Sequence, residues 1–264
     1  MKKYLVIGNP IEHSLSPKLH NYWIKKYSID GVYEKKKVND NDLNNLILKV
    51  KTKEISGINV TVPFKNKIIP YLDQLSIEAK KTQSVNTIYL KENIVIGHNT
   101  DIGGFELSIK KTKYNIKNKK VLILGAGGVV PSIIEALTRM RSSQIYVSNR
   151  TKKKAEKLKE LFENITVIDW GKIPSFDMII NATSLGLKKD DVINFDFSNI
   201  GKNKFFYDVI YNPKQTNFLH TANKLGHDNQ NGKMMFIYQA YEAFNIWHQK
   251  EPNIDKETIN LLDE

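Results

Sequence analysis

The first apolar run, Tyr4–Ile7, stops at Gly8-Asn9-Pro10 and predicts a buried strand closed by a turn. Ser16-Pro17 reads as a helix start, a capping hydroxyl followed by proline at the first helical position, with Leu19, Tyr22 and Trp23 at helical spacing. Val32–Val38 predicts a second strand, and Asp40 or Asp42 through Val50 a helix with Leu43, Leu46, Ile47 and Val50 inward. Ile58, Val60 and Val62 alternate with Asn59 and Thr61, which predicts a strand with one apolar and one polar face, stopped at Pro63. Lys65 follows at the start of a predicted helix, where a cation is unfavourable unless an anion or a reaction uses it. Val85–Leu90 and Ile94–Ile96 predict two more strands. The second leads into Asn99-Thr100-Asp101, either turn chemistry ahead of a helix over Phe105–Ile109 or a polar cluster for a hydroxylated ligand. The basic, weakly patterned stretch Lys110–Lys120 reads as a domain boundary or an exposed connection.

The second half opens on Val121–Leu124, the glycine turn Gly125-Ala126-Gly127-Gly128, and apolar residues at Val129, Val130, Ile133, Ile134 and Leu137. That order is strand, tight turn, helix. Free N–H groups and a positive dipole end at such a helix start suit a phosphate, although ordinary turn geometry also accounts for the glycines. Val130 stands where the full dinucleotide fingerprint has a third glycine. The next strand, Gln144–Ser148, ends at Asn149-Arg150-Thr151. A cofactor with a free ribose 2′-hydroxyl calls for an acid there. Arg150, backed by Lys152, Lys153 and Lys154, suits a 2′-phosphate instead, the alternative being the start of a solvated helix. Ile165–Ile168, Met178–Ile180 and Phe205–Val209 continue the sheet, with Asn181-Ala182-Thr183-Ser184-Leu185-Gly186 at a C-terminal strand edge, where open α/β sheets bind ligands. A long helix follows Asn231-Gly232, with Phe236, Ala240, Ala243, Phe244 and Trp247 on its buried stripe and Gln239 off it. Alternating strands and helices predict an α/β fold.

A chain of 264 residues makes one large or two modest domains. The absence of cysteine excludes disulfides, thiolate metal sites and cysteine nucleophiles. The net charge of +12 comes from scattered lysine clusters in a chain rich in Asn and Ile. Without an aromatic-basic or helix-turn-helix pattern it points to small anions and not to nucleic acid. The apolar start is too short for a signal peptide and no run is long enough to span a membrane, so a cytoplasmic protein is expected.

Several motifs stand in one order: Gly8-Asn9-Pro10-Ile11-Glu12-His13-Ser14-Leu15-Ser16-Pro17, Asn59-Val60-Thr61-Val62-Pro63-Phe64-Lys65, Val85-Asn86-Thr87, Asn99-Thr100-Asp101, Gly125–Gly128, Asn149-Arg150-Thr151, Asn181-Ala182-Thr183 and Gln239-Ala240. Together they resemble the shikimate/quinate dehydrogenase family over nearly the whole chain. The resemblance implies a two-domain α/β protein, with a substrate-binding and catalytic domain of residues 1–101 plus 238–264 and a Rossmann-type NADP-binding domain of residues 102–237. It implies reversible NADPH-dependent reduction of 3-dehydroshikimate to shikimate, with Lys65 and Asp101 as the catalytic pair. Ser14 and Ser16 would take the substrate carboxylate, and Asn59, Thr61, Asn86, Asp101 and Gln239 its hydroxyls, with Lys65 beside them. The cofactor would be held by Gly125, Ala126, Gly127, Gly128, Asn149, Arg150, Thr151, Thr183, Val209, Tyr211 and Gly232, and no metal is called for. A monomer or a homodimer is expected. Two departures from the family pattern are Val129-Val130-Pro131 after the glycine turn and Met234 where a glycine is usual. A quinate-accepting enzyme with relaxed cofactor use and a non-catalytic NADP-binding regulator remain as alternative expectations.

Overall fold

The structure, a computed structural model, describes residues 1–188 and 190–263. The chain forms two compact units, Met1–Gly104 with Ile237–Glu264, and Phe105–Phe236. In chain order the first unit contains β1 (Lys2–Gly8), α1 (Ser16–Lys26), β2 (Gly31–Lys37), α2 (Leu43–Lys51), β3 (Gly57–Val60), β4 (Gln74–Leu75), α3 (Ile77–Thr82), β5 (Thr87–Lys91) and β6 (Ile94–His98). Helix α4 (Asp101–Thr112) carries the chain onward, so the division falls within a helix and not in the basic stretch that follows it. The second unit contains β7 (Lys120–Leu124), α5 (Val130–Arg139), β8 (Gln144–Ser148), α6 (Lys152–Leu158), β9 (Ile165–Ile168), β10 (Met178–Asn181), β11 (Phe205–Asp208), α7 (Asn217–Lys224) and β12 (Asp228–Gln230). Helix α8 (Lys233–His248) returns to the first unit, which ends with α9 (Lys256–Asn260).

The first unit's six-stranded sheet runs β2-β1-β3-β5-β6-β4. β1 is parallel to β2 and β3, β3 is antiparallel to β5, and β5 is antiparallel to β6. The carboxyl ends of β1, β3 and β6 therefore share one sheet edge with the amino end of β5. Helix α2 buries the four inward residues its spacing predicts, and they join Leu5, Ile7, Ile58 and Val60 in one core. Strand β3 is buried at all four residues, so its polar face is covered rather than solvated, and Asn59 is 7% exposed. The strand stops at Val60, which leaves Val62 exposed in the turn instead of on the apolar face.

The second unit's sheet, β12-β11-β10-β7-β8-β9, is parallel throughout. That is the doubly wound strand order, in which the chain starts at the centre and winds outward to either side. Apart from Lys120, strands β7, β10 and β11 are buried throughout, with apolar runs broken only by polar residues at the strand ends, because both sheet faces are covered. Strand β12, Asp-Asn-Gln, carries no apolar signal and is held at the sheet edge by pairing with β11.

An aromatic cluster fills the space between α1, β2 and α8. His20 stacks on Tyr33 at 4.2 Å and lies edge-on to Trp23, while His248 packs on Tyr4 and Phe244. Among the described residues, neither ring nitrogen of His20 has a hydrogen-bond partner. Burial pushes its pKa down to about 3, and burial with nearby lysines pushes His248 down to about 4. A histidine kept neutral by the fold takes up its proton only on unfolding. Stability is thus complete above the unfolded value and falls as pH drops below it. From pH 7 to pH 5 His20 alone should cost about 2 kcal/mol. Denaturant titrations across that range should show the loss, and His20→Phe should reduce it by about that amount, leaving the share that His248 contributes.

Candidate active site

The shared edge of the first sheet collects residues far apart in sequence. The Lys65 Nζ donates to Asp101 Oδ2 at 2.5 Å, with the two side chains only 12% and 7% exposed. Lys65 lies in a turn after β3 and does not start a helix, so the dipole argument for it falls away. Its backbone carbonyl accepts from the Val85 N–H at 2.8 Å, which fixes the turn against the segment leading into β5. Asp101 is the first residue of α4, and the Asn99 side chain accepts from the Asp101 and Ile102 N–H groups, so the turn-chemistry reading of this triplet is also realised.

Asn86 joins these parts. Its amide donates to Asp101 Oδ1 and Thr100 Oγ1, both at 2.9 Å, and its side-chain oxygen accepts from the Thr100 N–H at 2.8 Å and from Thr87 Oγ1. Asn59 donates to the Asn86 carbonyl and to Thr87 Oγ1, and accepts from the Tyr33 hydroxyl at 2.7 Å. Burial holds the Tyr33 phenol well above the usual range, with the nearby Ser16 side chain pulling the other way. Ser16 is the first residue of α1, not its cap. Its N–H donates to Ser14 Oγ, and its hydroxyl does not cap the helix end. Thr61 meets the end of β1, donating its N–H to the Ile7 carbonyl. Gln239 is half-buried on α8. Tyr33 was missed from the sequence. Its place in a mostly exposed, lysine-rich strand gave no sign that its hydroxyl would be buried against Asn59.

In the second unit a cleft of about 300 Å³ is lined by Gly125, Ala126, Gly127, Asn149, Arg150, Thr151, Lys154, Trp170 and residues 182–185. Gly125 needs to be glycine. Its φ is +115°, and a Cβ there would sit 2.6 Å from the Ala182 carbonyl oxygen. Gly127 has no such reason, because a Cβ there would meet only that oxygen, at 4.0 Å. The space over Gly127 is thus left open by the fold, where a ligand backbone or phosphate can come close. Helix α5 begins beside it with no side-chain cap at Val129, and its buried face starts at Val130, Val129 being half-buried.

Lys152 turns away to Asp169, at 2.7 Å, so of the three lysines expected behind Arg150 it is Lys154 that lines the cleft. Among the described residues neither Arg150 nor Lys154 has an ion-pair partner. The opposite wall is set by Asn181, whose side chain accepts from the Thr183 hydroxyl at 2.7 Å and donates to the Leu185 carbonyl and to Asp208. Burial raises Asp208 to about 6, against the pull of its Thr216, Ile210 and Asn181 hydrogen bonds. This donor set fits a dinucleotide carrying a further phosphate. The expected Gly128, Val209, Tyr211 and Gly232 do not line the cleft. The last three meet one another's neighbourhood at the end of β11, where a Cβ on Gly232 would collide with the Val209 carbonyl oxygen and Tyr211 stacks on Phe236. Ser184 and Leu185 line the cleft as part of the strand-edge stretch that runs from Asn181 to Gly186, and Trp170 lines it without having been expected. The rule that parallel sheets bind ligands at their carboxyl edge offers a signal for Trp170 too, since it follows the end of β9.

Residues 6–88 match the family model described as shikimate dehydrogenase substrate binding domain, and residues 106–214 the model described as shikimate / quinate 5-dehydrogenase. A shikimate dehydrogenase (NADP(+)) of Pelagibacter ubique (strain HTCC1062) is 60% identical over 262 residues, 99% of both chains. The chain belongs to the shikimate dehydrogenase family. Two solved members agree in fold. The Aquifex aeolicus shikimate dehydrogenase is 35% identical with a TM-score of 0.90, covering 100% of this chain and 96% of that one. The shikimate 5-dehydrogenase of Thermus thermophilus, solved in complex with NADP(H) and shikimate, is 28% identical with a TM-score of 0.91, covering 100% and 99%.

Within this family frame Asn86 is a structural hinge of the polar edge. Asn86→Ala would leave Asp101, Thr100 and Thr87 short of partners in a buried setting. It should lower stability by about 1–3 kcal/mol, measured by urea unfolding, and Thr61→Ala in the half-exposed turn should cost less.

Proposed function

We propose that this protein is an NADP-dependent shikimate dehydrogenase, reducing 3-dehydroshikimate reversibly to shikimate on the route to chorismate and the aromatic amino acids. The observation that carries the reading is the Lys65–Asp101 pair on a buried polar sheet edge. When bound, NADPH supplies a hydride to the substrate ketone carbon. The carbonyl oxygen then needs a proton, and the Lys65 ammonium is the acid positioned to give it, reversing role in the oxidation direction. Asp101 takes one Lys65 N–H and so orients the remaining two. Ser14 and Ser16 would hold the substrate carboxylate, and Thr61, Asn59, Asn86, Asp101 and Gln239 its hydroxyls. Asn59 spends both amide N–H groups and one oxygen lone pair inside the protein and would offer the substrate the other lone pair, while Asn86, with its donors and its oxygen already engaged, would meet the substrate chiefly by holding Asp101 in place.

Residues 1–101 with 238–264 would form the substrate-binding and catalytic domain, and residues 102–237 the NADP domain. There Gly125–Gly128 would cradle the pyrophosphate, Asn149, Arg150 and Thr151 the adenosine phosphate end, and Thr183 would lie along the cofactor. Val209, Tyr211 and Gly232 would contact it from the end of β11. As finer parts of the same proposal, the enzyme acts on small molecules in the cytoplasm, without a nucleic-acid partner, as a monomer or homodimer.

A spectrophotometric assay of NADP reduction with shikimate and quinate side by side tests activity, substrate and cofactor together. Shikimate should be the better substrate, and absence of turnover with both would return the chain to a non-catalytic role. Lys65→Ala should lower kcat by roughly 10²–10⁴-fold with a much smaller change in KM; near-normal turnover would remove Lys65 from proton transfer. Arg150→Leu should lower kcat/KM for NADP by roughly ten- to a hundredfold while leaving NAD nearly unchanged, since a charge-assisted bond is worth about 1.5–3 kcal/mol.

A further inference from the structure

The cleft has an aromatic wall that the reading above does not use. Strand order places β7, β8 and β9 side by side, all parallel, so their carboxyl ends follow one another along one sheet edge. β7 ends at the glycine turn and β8 at Asn149-Arg150-Thr151, with Trp170 two residues beyond the end of β9. A dinucleotide with its pyrophosphate over the β7 turn and its ribose phosphate at Arg150 continues outward in the same direction. The group beyond the ribose is the adenine, and the next strand end it meets is that of β9.

Trp170 lines the cleft together with Arg150, Thr151 and Lys154. It is half-buried and is held from behind, since its ring lies edge-on to Phe195 at 4.9 Å. The corner that carries it is tied down as well. The Asp169 carbonyl accepts from the Ser148 hydroxyl at 3.2 Å, and the Asp169 carboxylate pairs with Lys152 at 2.7 Å and Lys172 at 3.4 Å. Those two lysines also offset a carboxylate that would otherwise repel a phosphate at Arg150. A flat, braced indole beside a cationic phosphate subsite is a stacking platform for a purine.

Resting on the NADP reading, we propose that Trp170 is a cofactor-binding residue that stacks on the adenine of NADP, so that the adenosine end is held by an aromatic face as well as by Arg150 and Lys154. Trp170 is the sole tryptophan between residues 105 and 236, the others being Trp23 and Trp247. Its fluorescence is therefore a direct reporter. Titration of the full-length protein with adenosine 2′,5′-bisphosphate, which lacks nicotinamide, should quench tryptophan emission saturably, and Trp170→Phe should abolish the quench while keeping most of the affinity. By calorimetry, Trp170→Leu should weaken binding of the same probe by roughly tenfold, as loss of base–aromatic stacking does. The KM for shikimate at saturating NADP should stay within about twofold of wild type. Equal affinity of the Phe and Leu variants, both folded by thermal melt, would overturn the stacking role while leaving the NADP reading intact. Failure of the wild-type protein to bind either NADP or the bisphosphate would overturn both.

Discussion

One buried amide, that of Asn86, ties together the polar edge of the first unit. It contacts the carboxylate that pairs with Lys65, the two threonines at neighbouring strand ends, and through its backbone carbonyl the side chain of Asn59. Polar groups with so little exposure are tolerated only when nearly every donor and acceptor is matched, because each unmatched one costs free energy that a single domain can ill spare. The matching leaves little freedom. The strands must be in register, and the turn bearing Lys65 must stand where the Val85 N–H can reach its carbonyl. The Lys65–Asp101 pair is thereby held in one geometry by the groups around it.

The second unit solves a different problem. Its cleft is open, and its fixed parts are backbone: the Gly125 turn, with the start of α5 beside it, and a loop that Asn181 holds to Asp208. Among its cations, Arg150 and Lys154 face the cleft, while Lys152 is engaged with Asp169. A ligand rich in phosphate is met by charge and backbone N–H groups that need no rearrangement. The missing third glycine at Val130 is explained by packing, since its side chain is wholly buried at the first turn of α5 and contributes to the core beneath the helix.

Much of the fold was legible along the chain. Strands β1, β7, β8, β9, β10 and β11 lie within a residue or two of their apolar runs, and the inward face of α2 is the one its spacing specifies. Short elements were not legible. β4 has two residues, and β12 has no apolar residue to mark it. The buried stripe of α8 falls on Ile237, Ala240, Ala243 and Phe244, with Phe236 and Trp247 only half-buried, because a helix's periodicity gives its face to within a residue and no better.

The sequence by itself determined the alternation of strands and helices, the glycine turn, the cationic end of β8 and the set of polar motifs that marks the family. These are local: each depends on residue type and spacing within about a dozen positions. Tertiary structure decided which of them meet. The antiparallel placement of β5 brings Asn86 beside Asp101, the burial of Tyr33 makes it a partner of Asn59, and the Lys152–Asp169 pair divides the lysines between corner and cleft. Such contacts join residues 15 or more positions apart, and no local pattern encodes them, because they depend on strand order and on which side chains are left to satisfy one another once the backbone is paired.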